Sequence, residues 1–194
     1  MFNILRVNPI IEYPPCIKKG GIQDCISCII AKKHGSCNTI RGLCIKPYYA
    51  HKKGCPNYNK RKDCPPNVKM LDEYFDLEAP FYFIIYQFHL HEHIEKMKKK
   101  HPKWTSKQLS CCLYWQGNVR KKLREAVNLF LEEYIDYDYA ISYTPEAMGV
   151  DVSKTLNKYN INLDWPPSKF IYKVALAGVL KADVEYNDIF QRKD

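Results

Sequence analysis

The chain has 194 residues, 46% of them hydrophobic, which suits one domain, and it carries a net charge of +9. Its longest apolar run, residues 79–86, is too short to cross a bilayer, and its first ten residues (MFNILRVNPI) lack the features of a signal peptide, so we expect a cytoplasmic protein without a membrane partner. In that compartment nine cysteines indicate metal or redox chemistry more often than a disulfide framework, which remains the alternative.

The first third of the chain is rich in cysteine and in residues that form turns. Seven of the nine cysteines lie before residue 68, among glycine, proline, lysine and asparagine. We predict loops ordered by metal, because a bound ion can order a segment that buries little apolar surface. The chain then divides into a cysteine-rich metal-binding region, residues 1–67, and an α/β core domain, residues 68–194, packed against it.

The core domain alternates predicted helices and strands. In chain order, the patterns predict a helix over 68–77, a strand over 81–90, a basic helix over 91–100, a capping box at 105–108, an amphipathic helix over 109–134 with a break near Gly117, a strand over 137–143, a helix over 152–159 and a strand over 169–180. These elements predict an α/β or α+β fold: a small mixed sheet with flanking helices and a metal-stapled, loop-rich N-terminal region.

One cysteine group is spaced C-x10-C-x8-C and consists of Cys44, Cys55 and Cys64. Proline follows each of the last two, which fixes the backbone beside a ligand, as in loops that bind iron–sulfur clusters. The group lacks the Cys-x2-Cys pair typical of structural zinc sites. Three thiolates therefore favour an iron–sulfur cluster, preferably 4Fe-4S, with zinc as the alternative.

A second group is spaced C-x8-C-x2-C-x8-C and consists of Cys16, Cys25, Cys28 and Cys37. Four such thiolates suit either a tetrahedral zinc site or a cubane cluster, and the spacing does not choose between them. Cys111 is a further candidate ligand or redox partner, whereas its neighbour Cys112 falls on the apolar stripe of the predicted helix.

The charge is unevenly placed along the chain. Residues 96–124 contain ten Lys and Arg and no Asp or Glu. Such a block is typical either of a solvated helix face or of a surface that contacts phosphates. Trp104, Tyr114 and Trp115 lie within it and could stack on bases. The candidate nucleic-acid-binding residues are Lys98, Lys99, Lys100, Lys103, Arg120, Lys121, Lys122 and Arg124.

Three histidines alternate at positions 89, 91 and 93. On a strand they would share one face and could line a metal or substrate site, although a polar strand end is the commoner explanation. No phosphate-binding glycine loop, Gly-x-Ser-x-Gly or His-Glu-x-x-His sequence is present.

Two segments carry a family resemblance. Cys44 with GCPNYNKRKDCPPN, and PEAMGVDVSKTL at residues 145–156, resemble a prokaryotic family of predicted metal-binding proteins of unknown function; YWQGNVRKKL adds to the resemblance, which covers roughly residues 40–180. It implies that Cys44, Cys55 and Cys64 are ligands and that a structural or site-lining turn contains Pro145, Glu146, Gly149 and Asp151. Many members carry a Cys-x2-Cys before that turn, where this chain has YDYAISYTPEA.

These observations predict an iron–sulfur metalloprotein, either an enzyme or a redox partner, that acts on a phosphate-bearing substrate such as a nucleotide or RNA. The alternative is a zinc-stabilised module that binds nucleic acid without catalysis. The sequence leaves the reaction and the oligomeric state open.

Overall fold

A four-stranded sheet organises the part of the chain that the computed structural model describes, which is residues 2–12, 39–47, 51–135, 137–164 and 166–185. The strands are β1 (Phe2–Val7), β2 (Phe81–His89), β3 (Tyr139–Ser142) and β4 (Phe170–Val179), in the spatial order β1-β2-β4-β3. All three pairings are antiparallel. The fold is therefore α+β, one of the two classes expected, whereas the prediction of a mixed sheet is wrong for the four described strands.

Within the described residues, five α-helices accompany the sheet: α1 (Leu71–Tyr74), α2 (Leu90–Lys100), α3 (Ser106–Leu109), α4 (Gln116–Glu133) and α5 (Val152–Asn157). Short 3-10 helices cover Arg41–Ile45, Cys112–Tyr114 and Pro145–Met148. The predicted capping box is present, since Thr105 Oγ1 accepts from the Gln108 N–H and Gln108 Oε1 accepts from the Thr105 N–H. The helix predicted over 109–134 is interrupted before Gly117: α3 ends at Leu109, and α4 begins at Gln116.

Strand β2 separates two hydrophobic clusters because its side chains alternate between the sheet faces. Phe81, Phe83 and Ile85 point into the larger cluster, which also takes in α1, the 3-10 helix Pro145–Met148 and α5. Ile84 points to the other face, where α4 covers the sheet with the buried residues Leu123, Ala126, Val127 and Phe130. The larger cluster meets the cysteine loops described below at Val68 and through the 3-10 helix Pro145–Met148, which contacts Arg41–Ile45.

Strand β1 belongs to this sheet although it lies within residues 1–67. It pairs with β2 from Phe2 opposite Tyr86 to Val7 opposite Phe81. The chain after β1 stays on the larger cluster, where the Glu12 N–H donates to Gly149 O (2.8 Å) and the Asp151 N–H donates to Ile10 O (2.8 Å). The N-terminal residues therefore help to build the core rather than forming a separate layer.

Tyr139 places its hydroxyl in the aromatic cluster beneath α4. Its ring contacts Tyr82 and Phe130 edge-on, and its buried oxygen makes no hydrogen bond of regular geometry in the described part of the chain, although the Tyr82 hydroxyl is close enough to act on its proton. Burial, with a contribution from the neighbouring Tyr82, raises the pKa of Tyr139 to about 12. An unpartnered buried hydroxyl costs stability, so this position is not optimal.

We expect Tyr139→Phe to raise the free energy of unfolding by about 1 kcal/mol, because it removes that hydroxyl and keeps the ring. The folded state holds the Tyr139 proton more tightly than the unfolded chain, in which tyrosine titrates near its ordinary pKa of 10.0. Relative to strongly alkaline solution, this tighter binding of the proton stabilises the folded state. That contribution is present in full below pH 10 and is lost as the pH rises toward 12. Urea unfolding between pH 10 and pH 12 should show that Tyr139→Phe loses less free energy of unfolding than the wild type. The exposed control Tyr137→Phe should lose as much as the wild type. Equal losses in Tyr139→Phe and the wild type would contradict the raised pKa of Tyr139.

Candidate functional site

Cys44 and Cys55 are held together by their backbones. The Cys55 N–H donates to Cys44 O at 2.7 Å, and Gly54 immediately before it has φ +81°. A Cβ at Gly54 would lie 2.6 Å from Cys44 O, which is closer than side chains approach backbone. Glycine is therefore needed here for both the left-handed backbone and the close approach of the two loops.

A series of hydrogen-bonded turns connects Cys55 with Cys64. The Asn59 N–H, at a residue with φ +54°, donates to Pro65 O at 2.8 Å and closes the loop between Cys55 and Cys64. The Val68 N–H then donates to Cys64 O at 3.2 Å. Residues 51–68 thus form an irregular, self-bonded loop that contains two of the three cysteines.

The charge of Cys55 acts on the ionisation of both Cys44 and Cys64. Desolvation is the main cause that raises the pKa of Cys44, followed by the charges of Cys55 and Cys64, while Arg41 lowers it. Desolvation also raises the pKa of Cys64, followed by Asp63, with Cys55 adding to the rise and Arg61 opposing it. All three cysteines are half-buried. Cys44 and Cys55 thus lie on directly hydrogen-bonded loops, with Cys64 near enough to act on the Cys44 thiol; that the three act together as ligands stays a prediction.

Arg41 lies beside this group and was not identified from the sequence. It is three residues before Cys44 in a 3-10 helix, where residues i and i+3 lie on the same side. Its Nη2 donates to Val68 O at 2.7 Å, so the guanidinium also ties the Cys44 loop to the segment after Cys64. Its position three residues before Cys44 was the sequence feature that could have identified it.

The second motif of the resemblance packs against the cysteine loops. The 3-10 helix Pro145–Met148 contacts the 3-10 helix Arg41–Ile45, and Thr144 Oγ1 donates to Asp63 O at 3.2 Å. Glu146 lies close enough for its charge to raise the pKa of Cys44. Glu146 as a whole residue is exposed. Desolvation of its carboxyl group nevertheless raises the pKa of that group.

Asp151 has a structural part in this arrangement. Its side chain caps α5 by accepting from the Lys154 N–H at 2.8 Å, and it pairs with Lys154 Nζ at 3.2 Å. Lys154 also pairs with Glu12, whose Oε2 accepts from the Ile40 N–H at 3.0 Å. This chain of contacts fixes the start of the Cys44 loop to α5.

The described residues contain no group of three or more His, Cys, Asp or Glu side chains that could hold a metal ion in the arrangement seen. The chemistry of the three clustered thiols suits a soft metal, but their present geometry is not that of a ligand set. The predicted second group, Cys16, Cys25, Cys28 and Cys37, lies outside the described residues.

Cys111 is half-buried at the start of the 3-10 helix Cys112–Tyr114, and Cys112 is exposed. That 3-10 helix packs against α4, and Cys111 is not among the groups that shift the pKa of Cys44 or Cys64. Its role as a further ligand stays a prediction. The expected core position of Cys112 is wrong, because the chain turns out of the helix before it.

The three alternating histidines do not share a strand face, because β2 ends at His89 and α2 begins at Leu90. His89 and His93, one helical turn apart, instead line a shallow pocket of about 310 Å³ with Glu92 and Lys96. His89 Nδ1 lies 2.8 Å from Glu92 Oε1, and desolvation lowers the pKa of His93. His91 is exposed and lies outside the pocket.

The basic residues of 96–124 are exposed along α2, the turn after it and α4. Lys122 pairs with Glu125 at 2.7 Å. The other seven candidate residues form no salt bridge within the described segments; they are Lys98, Lys99, Lys100, Lys103, Arg120, Lys121 and Arg124.

Comparison with protein-family models, curated proteins and solved structures finds no match to this chain. Among the residues described, no helix is both long enough and apolar enough to span a membrane.

Proposed function

We propose that the protein binds a metal centre through Cys44, Cys55 and Cys64. The observation that carries this proposal is the contact between their loops: the Cys55 N–H donates to Cys44 O at 2.7 Å, and the charges of Cys55 and Cys64 both raise the pKa of Cys44. Loops of this kind bury few apolar side chains of their own, so a bound metal would supply ordering energy that their sequence lacks. Ligation would also remove the thiol protons of Cys44 and Cys64, whose pKa values are raised in the metal-free site.

An iron–sulfur cluster, 4Fe-4S by preference, fits this ligand set better than zinc. Two of the cysteines precede proline, and three thiolates would leave one iron available to a substrate or a fourth ligand. Such a centre suits an enzyme or a redox partner that acts on a phosphate-bearing substrate drawn by the positive charge around it. The resemblance to predicted metal-binding proteins supports a metal and favours no particular reaction.

Anaerobic purification separates iron–sulfur from zinc. We expect brown protein with broad visible absorbance, containing iron and acid-labile sulfide, that bleaches on exposure to air. Colourless protein with stoichiometric zinc would replace the cluster by the structural zinc alternative. Metal-free protein, prepared anaerobically from medium supplied with both metals, would contradict the proposal.

A second candidate function is nucleic-acid binding by the basic surface, defined as the exposed Lys and Arg side chains of residues 96–124. The observation that favours it is the absence of salt bridges, within the described segments, for seven of the eight candidate residues. Surface cations that are not neutralised by neighbouring carboxylates release counterions when they meet phosphates, which provides affinity without sequence preference.

This candidate predicts a steep dependence on salt. The double substitution of Lys99 and Lys100 by glutamine should weaken oligonucleotide binding and make the slope of log K against log salt shallower, by about 0.7 for each single-strand phosphate that the protein no longer neutralises. The matched control substitutes Lys158 and Lys181, which are exposed outside the basic surface, and should leave the slope unchanged. Equal effects of the two double variants, or binding insensitive to salt, would contradict a specific role for the surface.

A further inference from the structure

Three aromatic rings form a column within the basic surface. His101 stacks on Trp104 with centroids 4.0 Å apart and planes 8° apart, and Trp104 is followed by Tyr114 at 5.0 Å and 32°. The turn after α2 builds the first pair, because the Trp104 N–H donates to His101 O at 3.0 Å. The 3-10 helix Cys112–Tyr114 brings in the third ring.

The column ends at the surface. Tyr114 is 53% exposed, and its aliphatic neighbour Leu113 is 83% exposed. Large apolar side chains in such positions commonly mark a contact surface when they occur together. The other end of the column is flanked by cations along the chain, since the exposed residues Lys98, Lys99, Lys100 and Lys103 lie on either side of His101 in sequence.

We propose that this surface binds single-stranded nucleic acid, with a base stacked on Tyr114 as an extension of the aromatic column and with phosphates on the flanking lysines. The proposal rests on the second candidate function and specifies its ligand. A single strand offers accessible base faces together with phosphates, whereas a duplex hides its base faces within the stack. An acidic peptide or an anionic membrane would satisfy the charges and leave the aromatic column unused.

Fluorescence anisotropy with oligothymidylate of about 12 nucleotides tests the proposal on the full-length protein. Tyr114→Ala should weaken single-strand binding at least about fivefold, the effect of losing one stacked base, whereas Tyr114→Phe should retain the affinity. Tyr137→Ala, the same truncation at a tyrosine of similar exposure (56%) outside the basic surface, is the matched control and should bind normally. The slope against salt should be the same in all four proteins, because no charge is altered.

The ligand comparison distinguishes this proposal from the candidate on which it rests. Wild-type protein should bind the single strand more tightly than a duplex of equal length and more tightly than phosphatidylglycerol vesicles. If duplex and single strand bind equally and Tyr114→Ala has no effect, the stacking proposal is wrong while phosphate binding by the basic surface stands. Binding to none of these ligands overturns both, and preference for the vesicles overturns both in favour of a membrane surface. Circular dichroism of each variant shows whether the fold is intact.

Discussion

Replacing Gly149 with alanine is expected to lower the free energy of unfolding by about 2 to 3 kcal/mol. Gly149 has φ +88°, and the left-handed conformation costs a residue with a Cβ about 1–2 kcal/mol. The added Cβ would also lie 2.3 Å from Met70 Cε, the end of a buried side chain that must shift, and overpacking of this kind typically costs at least about 1 kcal/mol.

Gly117→Ala provides the matched control. Gly117 lies in the first turn of α4, and a Cβ added there meets nothing within 4 Å. Alanine should therefore stabilise the protein by up to about 1 kcal/mol through its helix propensity. Urea unfolding gives both values, and a loss at Gly149 no larger than the change at Gly117 would show that the turn after Pro145–Met148 tolerates a side chain.

Replacing Cys55 with serine is expected to remove most of the metal bound at the three-cysteine site. Serine keeps the size and polarity of the side chain but is a poor ligand for a soft metal. Metal-loaded protein should lose about 4 kcal/mol of stability if free metal is a thousand times the dissociation constant, because binding to the folded state alone stabilises by mass action. Metal per chain and urea unfolding, both measured without oxygen, check this result.

Cys112→Ser makes the same chemical change at an exposed position away from the loops, so it should leave metal content and stability unchanged. After chelation, the Cys55→Ser and wild-type proteins should become similarly stable, because the difference resides in the bound metal. Two results together would assign Cys55 a purely structural role: Cys55→Ser binds as much metal as the wild type before chelation, and it remains less stable than the wild type after chelation.

The sequence predicted the two central strands of the sheet more accurately than its edge strand β1. Strands β2 and β4 are long and apolar, and their predicted bounds lie within one residue of those observed at each end. Strand β1 was not predicted, because a short half-exposed segment beside a cysteine-rich stretch has no distinctive pattern. Pairing with β2, rather than the sequence of β1 itself, makes this segment a strand.

Two predicted helices are shorter than expected, because apolar spacing did not distinguish helix from irregular buried chain. Val68 and Met70 are buried, as a helix from residue 68 would require, yet α1 begins only at Leu71 because the Val68 N–H is engaged with Cys64 O and Met70 is extended. Downstream, Ser110 Oγ donates to Ser106 O and Trp115 Nε1 donates to Ser110 O, so local side-chain bonds accompany the break between α3 and α4.

At the candidate site, the sequence identified the three cysteines but not their neighbours. Spacing alone brings Cys44, Cys55 and Cys64 into one segment, whereas Glu146 and Thr144 reach it through a contact that spans about eighty residues or more. The two segments of the family resemblance were the indication that these distant residues belong together. Arg41 could have been identified from its position three residues before Cys44, which is a local relation.

X-ray absorption at the iron and zinc edges of anaerobically prepared protein tests the central claim most directly. The account predicts tightly held metal with sulfur atoms bonded to it, and fewer metal–sulfur bonds per chain when Cys44, Cys55 and Cys64 are replaced by serine but not when Cys112 is. Metal bonded to nitrogen and oxygen only, or metal–sulfur bonding that is unchanged in the triple variant, would contradict a metal centre at these three cysteines.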